Sequence, residues 1–253
     1  MRKLHAFNIS FLILFLLGAC QSYLLCIAIA FLWLSIHIWS CFNMKFNMYL
    51  PSINKVDTSQ RVVAITFDDG PTECTELVLE LLRKYNAQAT FFCVGKNIEK
   101  HYELAQLILE QGHEIGNHSY SHSCFNGFYP AVKVAEEISA TNTLLGKLGV
   151  SNDFYRPPNG VVNTMIANAV SMTQQRVIGW NIRSYDTIFK NPTHIYERII
   201  GKLAPGSIIL LHDTSQKTVE VLEKLLEHLS SSNYGAVTIS QLLDENRDLP
   251  NSL

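Results

Sequence analysis

Five short polar runs, each following a stretch of apolar or β-branched residues, carry the chemistry that this sequence of 253 residues can offer. The first is Thr66-Phe67-Asp68-Asp69-Gly70-Pro71. Adjacent residues of an extended segment point to opposite sides. Two neighbouring aspartates therefore suit two tasks, one holding a cation and one facing a substrate. A helix cap in an Asp-Gly-Pro breaker accounts for one acidic residue and leaves the other unexplained. The second run is Gly116-Asn117-His118-Ser119-Tyr120-Ser121-His122. Histidines four apart share one face of a helical turn, from which both imidazoles reach a single ion. No glutamate adjoins His118, so this is not the HExxH arrangement, and a general base must come from elsewhere.

The third run, Arg156-Pro157-Pro158-Asn159-Gly160, sets an arginine beside two prolines that fix the backbone. The fourth is Trp180-Asn181-Ile182-Arg183-Ser184-Tyr185-Asp186, and the fifth is His212-Asp213 after the apolar residues 208–211. Taken singly, Arg156 reads equally as a residue held rigidly beside a site and as a surface residue ahead of a turn, and His212 reads as a satisfied core histidine. His5, His37, His101, His113, His194 and His228 have no comparable context and read as structural.

Strands are expected at 61–67, 90–95, 114–117, 153–156, 177–182, 207–211 and 236–239. Helical patterns cover 73–85, 98–111, 130–148, 163–172, 192–203 and 218–229. In 73–85, Leu77, Leu81 and Leu82 mark one apolar face. Pro130 and Pro192 suit first-turn positions, and Gly149 follows a helix end. Seven strands alternating with helices predict an α/β fold with a parallel sheet covered by helices, either open or curled into an incomplete (β/α) barrel. Such folds keep their active sites at the carboxyl ends of the strands, where these five runs fall.

Residues 43–60 read as an irregular linker, and the segment before them is of a different kind. Between Lys3 and Lys45 there is no Asp, Glu, Lys or Arg. Residues 11–42 are apolar nearly throughout, and about 20 such residues cross a bilayer. Residues 1–42 are thus a membrane segment, one long span or a short hairpin. The run 11–17 ends at Gly18-Ala19-Cys20, which resembles a lipoprotein cleavage box. A second run, 23–42, follows at once with Trp33 and Trp39 toward its far end, which favours retention in the membrane. A single span with Arg2 and Lys3 inside sets the remainder outside the cytoplasm, the location expected for the catalytic part; two short spans return it to the cytoplasmic side.

Four of the 20 basic residues precede residue 56, leaving 16 against all 22 acidic ones, a net −6. That balance excludes a basic face for nucleic acid or another polyanion. The six cysteines fit neither a zinc knuckle nor a CxxC motif. The sequence carries no statement of oligomeric state.

In their order, TFDDGP, HSYSH, RPPNG, the 180–186 stretch and LLHD resemble the polysaccharide deacetylases of the NodB homology type, carbohydrate esterase family four. The resemblance covers most of residues 61–243 and makes 61–247 the catalytic domain. It implies a distorted (β/α)7 barrel and hydrolysis of N-acetyl groups from N-acetylglucosamine residues of a polysaccharide, peptidoglycan or an exported glycan. The alternative substrate is a lipid-linked amino sugar, for which the membrane segment would be the route. Asp69, His118 and His122 match the family's metal triad, which leaves a position open for water. Asp68 matches the general base and Arg156 its partner; His212 matches the general acid and Asp186 its partner. The backbone N–H of Asn159 matches the oxyanion donor, with Pro158 and Trp180 lining the substrate groove. The implied cofactor is one divalent ion, zinc by its donor set, with cobalt, nickel and manganese compatible. Asn159 stands where a Tyr is common, Arg183 where many members carry Asp, and Thr187 where many carry Trp. These positions line the groove, so they bear on substrate choice more than on chemistry.

Overall fold

The β-branched runs become strands and the amphipathic runs become helices, and every strand pair in the sheet is parallel. The computed structural model describes residues 2–19 and 22–244. Two helices lead, α1 (Arg2–Ala19) and α2 (Tyr23–Cys41). Then follow β1 (Ser52–Ile53), β2 (Val62–Asp68), α3 (Thr75–Lys84), β3 (Thr90–Cys93), α4 (Gly95–Lys100), α5 (Tyr102–Glu110) and β4 (Glu114–Asn117). Next come α6 (Ala131–Lys147), β5 (Phe154–Tyr155), α7 (Thr164–Met172), β6 (Arg176–Ile178) and β7 (Ile182–Arg183). The chain continues through α8 (Pro192–Ile200), β8 (Ile208–His212), α9 (Gln216–Ser231), β9 (Gly235–Val237) and α10 (Ile239–Asp244).

The strand order is β1-β6-β5-β4-β3-β2-β8-β7, with β9 added beside the start of β2. β6 and β7 lie toward opposite ends of this order, yet only Gly179, Trp180 and Asn181 separate them in sequence. The sheet therefore curls until its ends meet, which is the distorted barrel expected. All seven expected strands are present. The one at 177–182 is broken, because its first part pairs with β5 and its second with β8. The stretch 43–60, read as an irregular linker, supplies β1, which extends the sheet beyond β6; two residues are too few to show alternation.

Along β2, Val63, Ile65 and Phe67 pack outward with Val78, Leu79 and Leu82 of α3. Ala64 instead joins Phe92, Phe154, Ile178 and Ile208 in the barrel interior, with Ile239 and Leu242 of α10 in the same cluster. By the period of two, Thr66 and Asp68 share the inward side of Ala64. The buried face of α3 is Thr75, Val78, Leu79 and Leu82, and Leu77 is exposed. Of the face marked by Leu77, Leu81 and Leu82, Leu82 is buried and Leu81 packs half-buried at its edge, while the buried residues follow the tighter 3-1-3 spacing. The helix expected at 98–111 is interrupted at His101 (φ −125°, ψ 50°). Pro130 is the N-cap of α6, Pro192 opens α8, and Gly149 follows α6 with φ +79°.

α1 and α2 form an antiparallel hairpin. Gly18 lies against Leu25 and Ile29 at one end, and Phe7 meets His37 at the other. α2 is long and apolar enough to cross a membrane, by length and composition. Leu4 is buried with Met48, Tyr49, Leu50 and Val162, so the open end of the hairpin rests on the α/β domain. Cys20, in the cleavage-box resemblance, and residues 245–247 of the expected domain lie outside the described residues. The five described cysteines are free.

Candidate active site

β2 delivers Asp68 into the interior, and strict alternation would send Asp69 outward to the helices. Asp69 instead has φ +75°, a left-handed conformation that turns its carboxylate back over the strand ends. Asn97 braces that turn, its Nδ2 donating to the Asp69 carbonyl at 2.6 Å. His118 follows directly from β4. The segment to His122 is a loop with left-handed residues at Ser119 (φ 64°) and His122 (φ 47°), not the helical turn that the spacing predicts. The His122 N–H donates to Ser119 Oγ at 3.1 Å, and the two imidazole centroids are 4.9 Å apart.

Asp69 Oδ1 lies 3.5 Å from His118 Nε2 and 3.2 Å from His122 Nε2. One ligand atom from each of the three residues falls within 4.8 Å of the others. His118 Nδ1 is 2.7 Å from the Arg156 carbonyl, so that nitrogen carries the proton and Nε2 offers its lone pair to the cluster. An imidazole oriented by a carbonyl outside the site is a common support for a ligated ion. The donor set and its orientation fit a divalent cation with room for a further ligand.

Arg156 is fully buried, not a surface residue. Its Nη1 donates to Asp68 Oδ1 at 2.7 Å and to Thr66 Oγ1 at 2.8 Å. Its Nε donates to the Ile178 carbonyl at 3.0 Å and Nη2 to that of Gly179 at 2.9 Å. The guanidinium carbon is 4.0 Å from the Phe92 ring centroid. Asp68 therefore has Oδ1 engaged, while Oδ2 sits 3.7 Å from His118 Nε2, on the side of the cluster.

Asp68 and His212 are register partners on β2 and β8. Behind His212, the buried Asp186 accepts from His212 Nδ1 and the His212 N–H, both at 2.8 Å. Thr218 Oγ1 and Ser184 Oγ complete its set at 2.9 and 2.8 Å. Burial lowers the pKa of His212, but the bond to Asp186 and the charges of Asp186, Asp68 and Asp69 win and raise it. The pairing favours the charged form of His212 and leaves Nε2 free of it.

Pro158, Asn159 and Gly160 form a 3-10 turn in which Asn159 is left-handed (φ 58°, ψ 5°). Trp180 packs on it so closely that a Cβ at Gly160 would stand 2.6 Å from the indole. Trp180 also lies 5.5 Å from the Arg156 guanidinium, so these residues form one wall beside the buried arginine. Sequence reasoning missed the hydroxyls that hold the charged pairs, Thr66, Ser184 and Thr218. Ser184 stands two residues before Asp186, a local signal; Thr218 arrives from α9 with none. It also gave Asp213 no role. Asp213 is fully buried, bonded through its carboxylate to Thr75 Oγ1 and through its carbonyl to Thr72 Oγ1. Burial pushes its pKa up to about 7.

A family model described as polysaccharide deacetylase matches residues 55–178. A peptidoglycan-N-acetylglucosamine deacetylase of Bacillus cereus is 32% identical over 195 residues, covering 75% of this chain and 91% of the relative. The chain belongs to the polysaccharide deacetylase family. Another similar member, the peptidoglycan-N-acetylmuramic acid deacetylase PdaC of Bacillus subtilis, is 33% identical over 196 residues, 76% of this chain. The match spans only 41% of the length of PdaC. A solved PdaC structure matches with a TM-score of 0.70 at 30% identity, covering 76% of this chain and 94% of that one. A family pseudoenzyme from Bacillus anthracis matches with a TM-score of 0.70 at 25% identity, covering 77% of this chain and 69% of that one. Family membership alone therefore does not decide activity; the side chains in the site do.

Proposed function

We propose that this polysaccharide deacetylase family member is a metal-dependent N-deacetylase acting on N-acetylated amino sugars of a glycan, held at the cell membrane by its apolar hairpin. The observation that carries this reading is the convergence of Asp69, His118 and His122 within 4.8 Å, flanked by an Arg156-bound Asp68 and an Asp186-bound His212. The named relatives act on peptidoglycan, which makes N-acetylglucosamine or N-acetylmuramic acid the sugar class to test first.

Asp69, His118 and His122 would hold the ion, zinc by donor type, which supplies Lewis acidity toward the acetyl carbonyl. Asp68, with Oδ1 engaged by Arg156, accepts a proton from the attacking water at Oδ2. The backbone N–H of Asn159, on its left-handed turn, meets the negative charge that develops on the acetyl oxygen. An amine leaves poorly unless protonated, and His212, kept charged by Asp186, donates that proton. Acetamide and water thus become acetate and a free amine. A glycosidase needs two carboxylates across the scissile bond; here the Asp69 carboxylate is engaged by two imidazoles, which does not support that reading. A binding module without catalysis accounts for none of the supporting hydrogen bonds around Asp68 and His212.

The test is acetate release by the full-length protein from peptidoglycan and from chito-oligosaccharides. The expected result is acetate in step with free amine; a protein loaded with metal that releases none from any N-acetylated glycan contradicts the proposal.

A further inference from the structure

The apolar hairpin and the wall of the active site are built as one piece. α2 ends at Cys41, whose carbonyl accepts the Val162 N–H at 2.8 Å, three residues past Asn159. Lys45 Nζ donates to the carbonyl of Asn181, next to Trp180, at 2.9 Å. Within the hairpin, Asn8 Oδ1 accepts from Trp33 Nε1 at 3.0 Å and lies 2.9 Å from His37 Nε2. His37 Nδ1 in turn lies 2.7 Å from the hydroxyl of Tyr49, in the 43–60 stretch that packs on Val162 of the domain. Both helices therefore meet the domain at the same end of the hairpin, without a free linker. From Arg156, whose carbonyl orients His118, to Val162 is six residues, at most about 21 Å of chain. The active site sits at the foot of the hairpin.

That foot is rimmed by exposed aromatic rings. Phe42, directly after α2, is 69% exposed, and the loop after His122 carries Phe125 at 64% and Phe128 at 86%. The loop is joined to the same foot, since Asn163 Nδ2 donates to the Gly127 carbonyl at 2.6 Å and Tyr129 packs on the cluster that buries Leu4. Exposed apolar rings continuous with an apolar hairpin suit burial at a membrane surface.

Charge gives the side. At 1.5 Å per residue, α1 and α2 are each about 27–29 Å long, close to the hydrocarbon thickness of a bilayer; α2 is apolar enough to cross by itself, and α1, with a shorter apolar stretch, is packed along it. Arg2, Lys3, Lys45 and Lys55 all belong to the domain end, while Cys20, Gln21 and Ser22 between the helices carry no charge. Basic residues mark the cytoplasmic end of spans. Cys74, Cys93 and Cys124 of the domain are free, in keeping with a reducing compartment.

We propose, resting on the deacetylase reading above, that the hairpin crosses the membrane twice and returns the active site to the cytoplasmic surface, with Phe42, Phe125 and Phe128 seated in that interface. The substrate is then an N-acetyl amino sugar carried on a membrane lipid. This departs from the side expected of a single span.

Two measurements on the full-length chain test it. In spheroplasts, a membrane-impermeant maleimide should label Cys124 only after lysis, the band being assigned by its loss in Cys124→Ala. Gln21→Cys, in a Cys20→Ser background, should label before lysis. Labelling of Cys124 in intact spheroplasts overturns the topology. In phosphatidylethanolamine–phosphatidylglycerol vesicles holding dialkylglycerol-linked N-acetylglucosamine, Phe125→Asp/Phe128→Asp should lower acetate release at least tenfold, with release from soluble chitotetraose within twofold of the unaltered protein. Equal loss on both substrates assigns the rings to sugar stacking and overturns the interface. Release from chitotetraose alone by the unaltered protein overturns the lipid-borne substrate and leaves the deacetylase reading standing. Release from neither, with labelling as expected, defeats the deacetylase reading and the substrate drawn from it, while the topology holds.

Discussion

Arg156 and Asp68 form a charge pair inside the barrel, Nη1 to Oδ1 at 2.7 Å, with side chains 0% and 6% exposed. Burying two charges costs several kcal/mol per ion, and a well-bonded pair at best offsets this. Its worth is positional. One oxygen of Asp68 is fixed so that the other faces the Asp69–His118–His122 cluster. Arg156→Met strands the Asp68 charge and should destabilise the protein by about 3–5 kcal/mol, read by denaturant unfolding in detergent. Arg156→Lys keeps the charge but cannot reach Thr66, Asp68 and the carbonyls of Ile178 and Gly179 together. Acetate release by Arg156→Lys should fall sharply; near-normal turnover would show that the fork is not needed.

The adjacent aspartates should separate cleanly by substitution. Asp68→Asn is expected to lower acetate release by about 10²–10⁴-fold, the range of a lost general base, with bound metal retained. Asp69→Ala should lose the metal as well. Elemental analysis of both purified variants checks this, and full metal occupancy in Asp69→Ala would remove its role as a ligand.

His212 and Asp186 predict a pH effect with a definite sign. Asp186 raises the His212 pKa against the opposing effect of burial, so the acid form persists to higher pH. Activity that needs this proton declines as pH rises through the raised pKa. Asp186→Asn removes the raising charge, so the alkaline limb of kcat should move to lower pH. A limb that stays in place in Asp186→Asn dissociates His212 from the proton transfer. His212→Ala should cost about 10²–10⁴-fold in turnover.

Asp213 makes a prediction about stability. Its folded pKa of about 7 lies above the ordinary value, so the fold prefers the neutral acid. Stability is full below about pH 4 and is lost as pH rises toward 7, because the unfolded chain ionises first. Asp213→Asn keeps a neutral side chain of the same shape. In chelator-treated protein it should raise Tm more at pH 8 than at pH 5. An equal shift at both values would mean that Asp213 is not held neutral.

The sheet was legible because its strands are short β-branched runs between amphipathic helices, and so was the divergence of Asp68 and Asp69 at the end of β2. The break at 179–181 had one local sign, Gly179 inside the expected strand, but the change of partner from β5 to β8 arises from the curl of the sheet and is carried by no residue type. Asp69 and the His118–His122 pair were readable as chemistry but not as geometry. Their convergence depends on left-handed backbone at Asp69, Ser119 and His122, where no glycine advertises it. Thr218 reaches Asp186 from a helix 32 residues later, a contact that only the folded chain creates. Leu77 misled on α3 because leucine identity was weighed above the tighter spacing of Val78, Leu79 and Leu82.

The most direct measurement couples metal content to acetate release in one protein sample. Chelation should remove one equivalent of divalent ion and with it the release of acetate from an N-acetylated glycan, and adding back zinc should restore both together. Undiminished acetate release from metal-free protein, or a chain that takes up no ion with Asp69, His118 and His122 intact, would contradict the account.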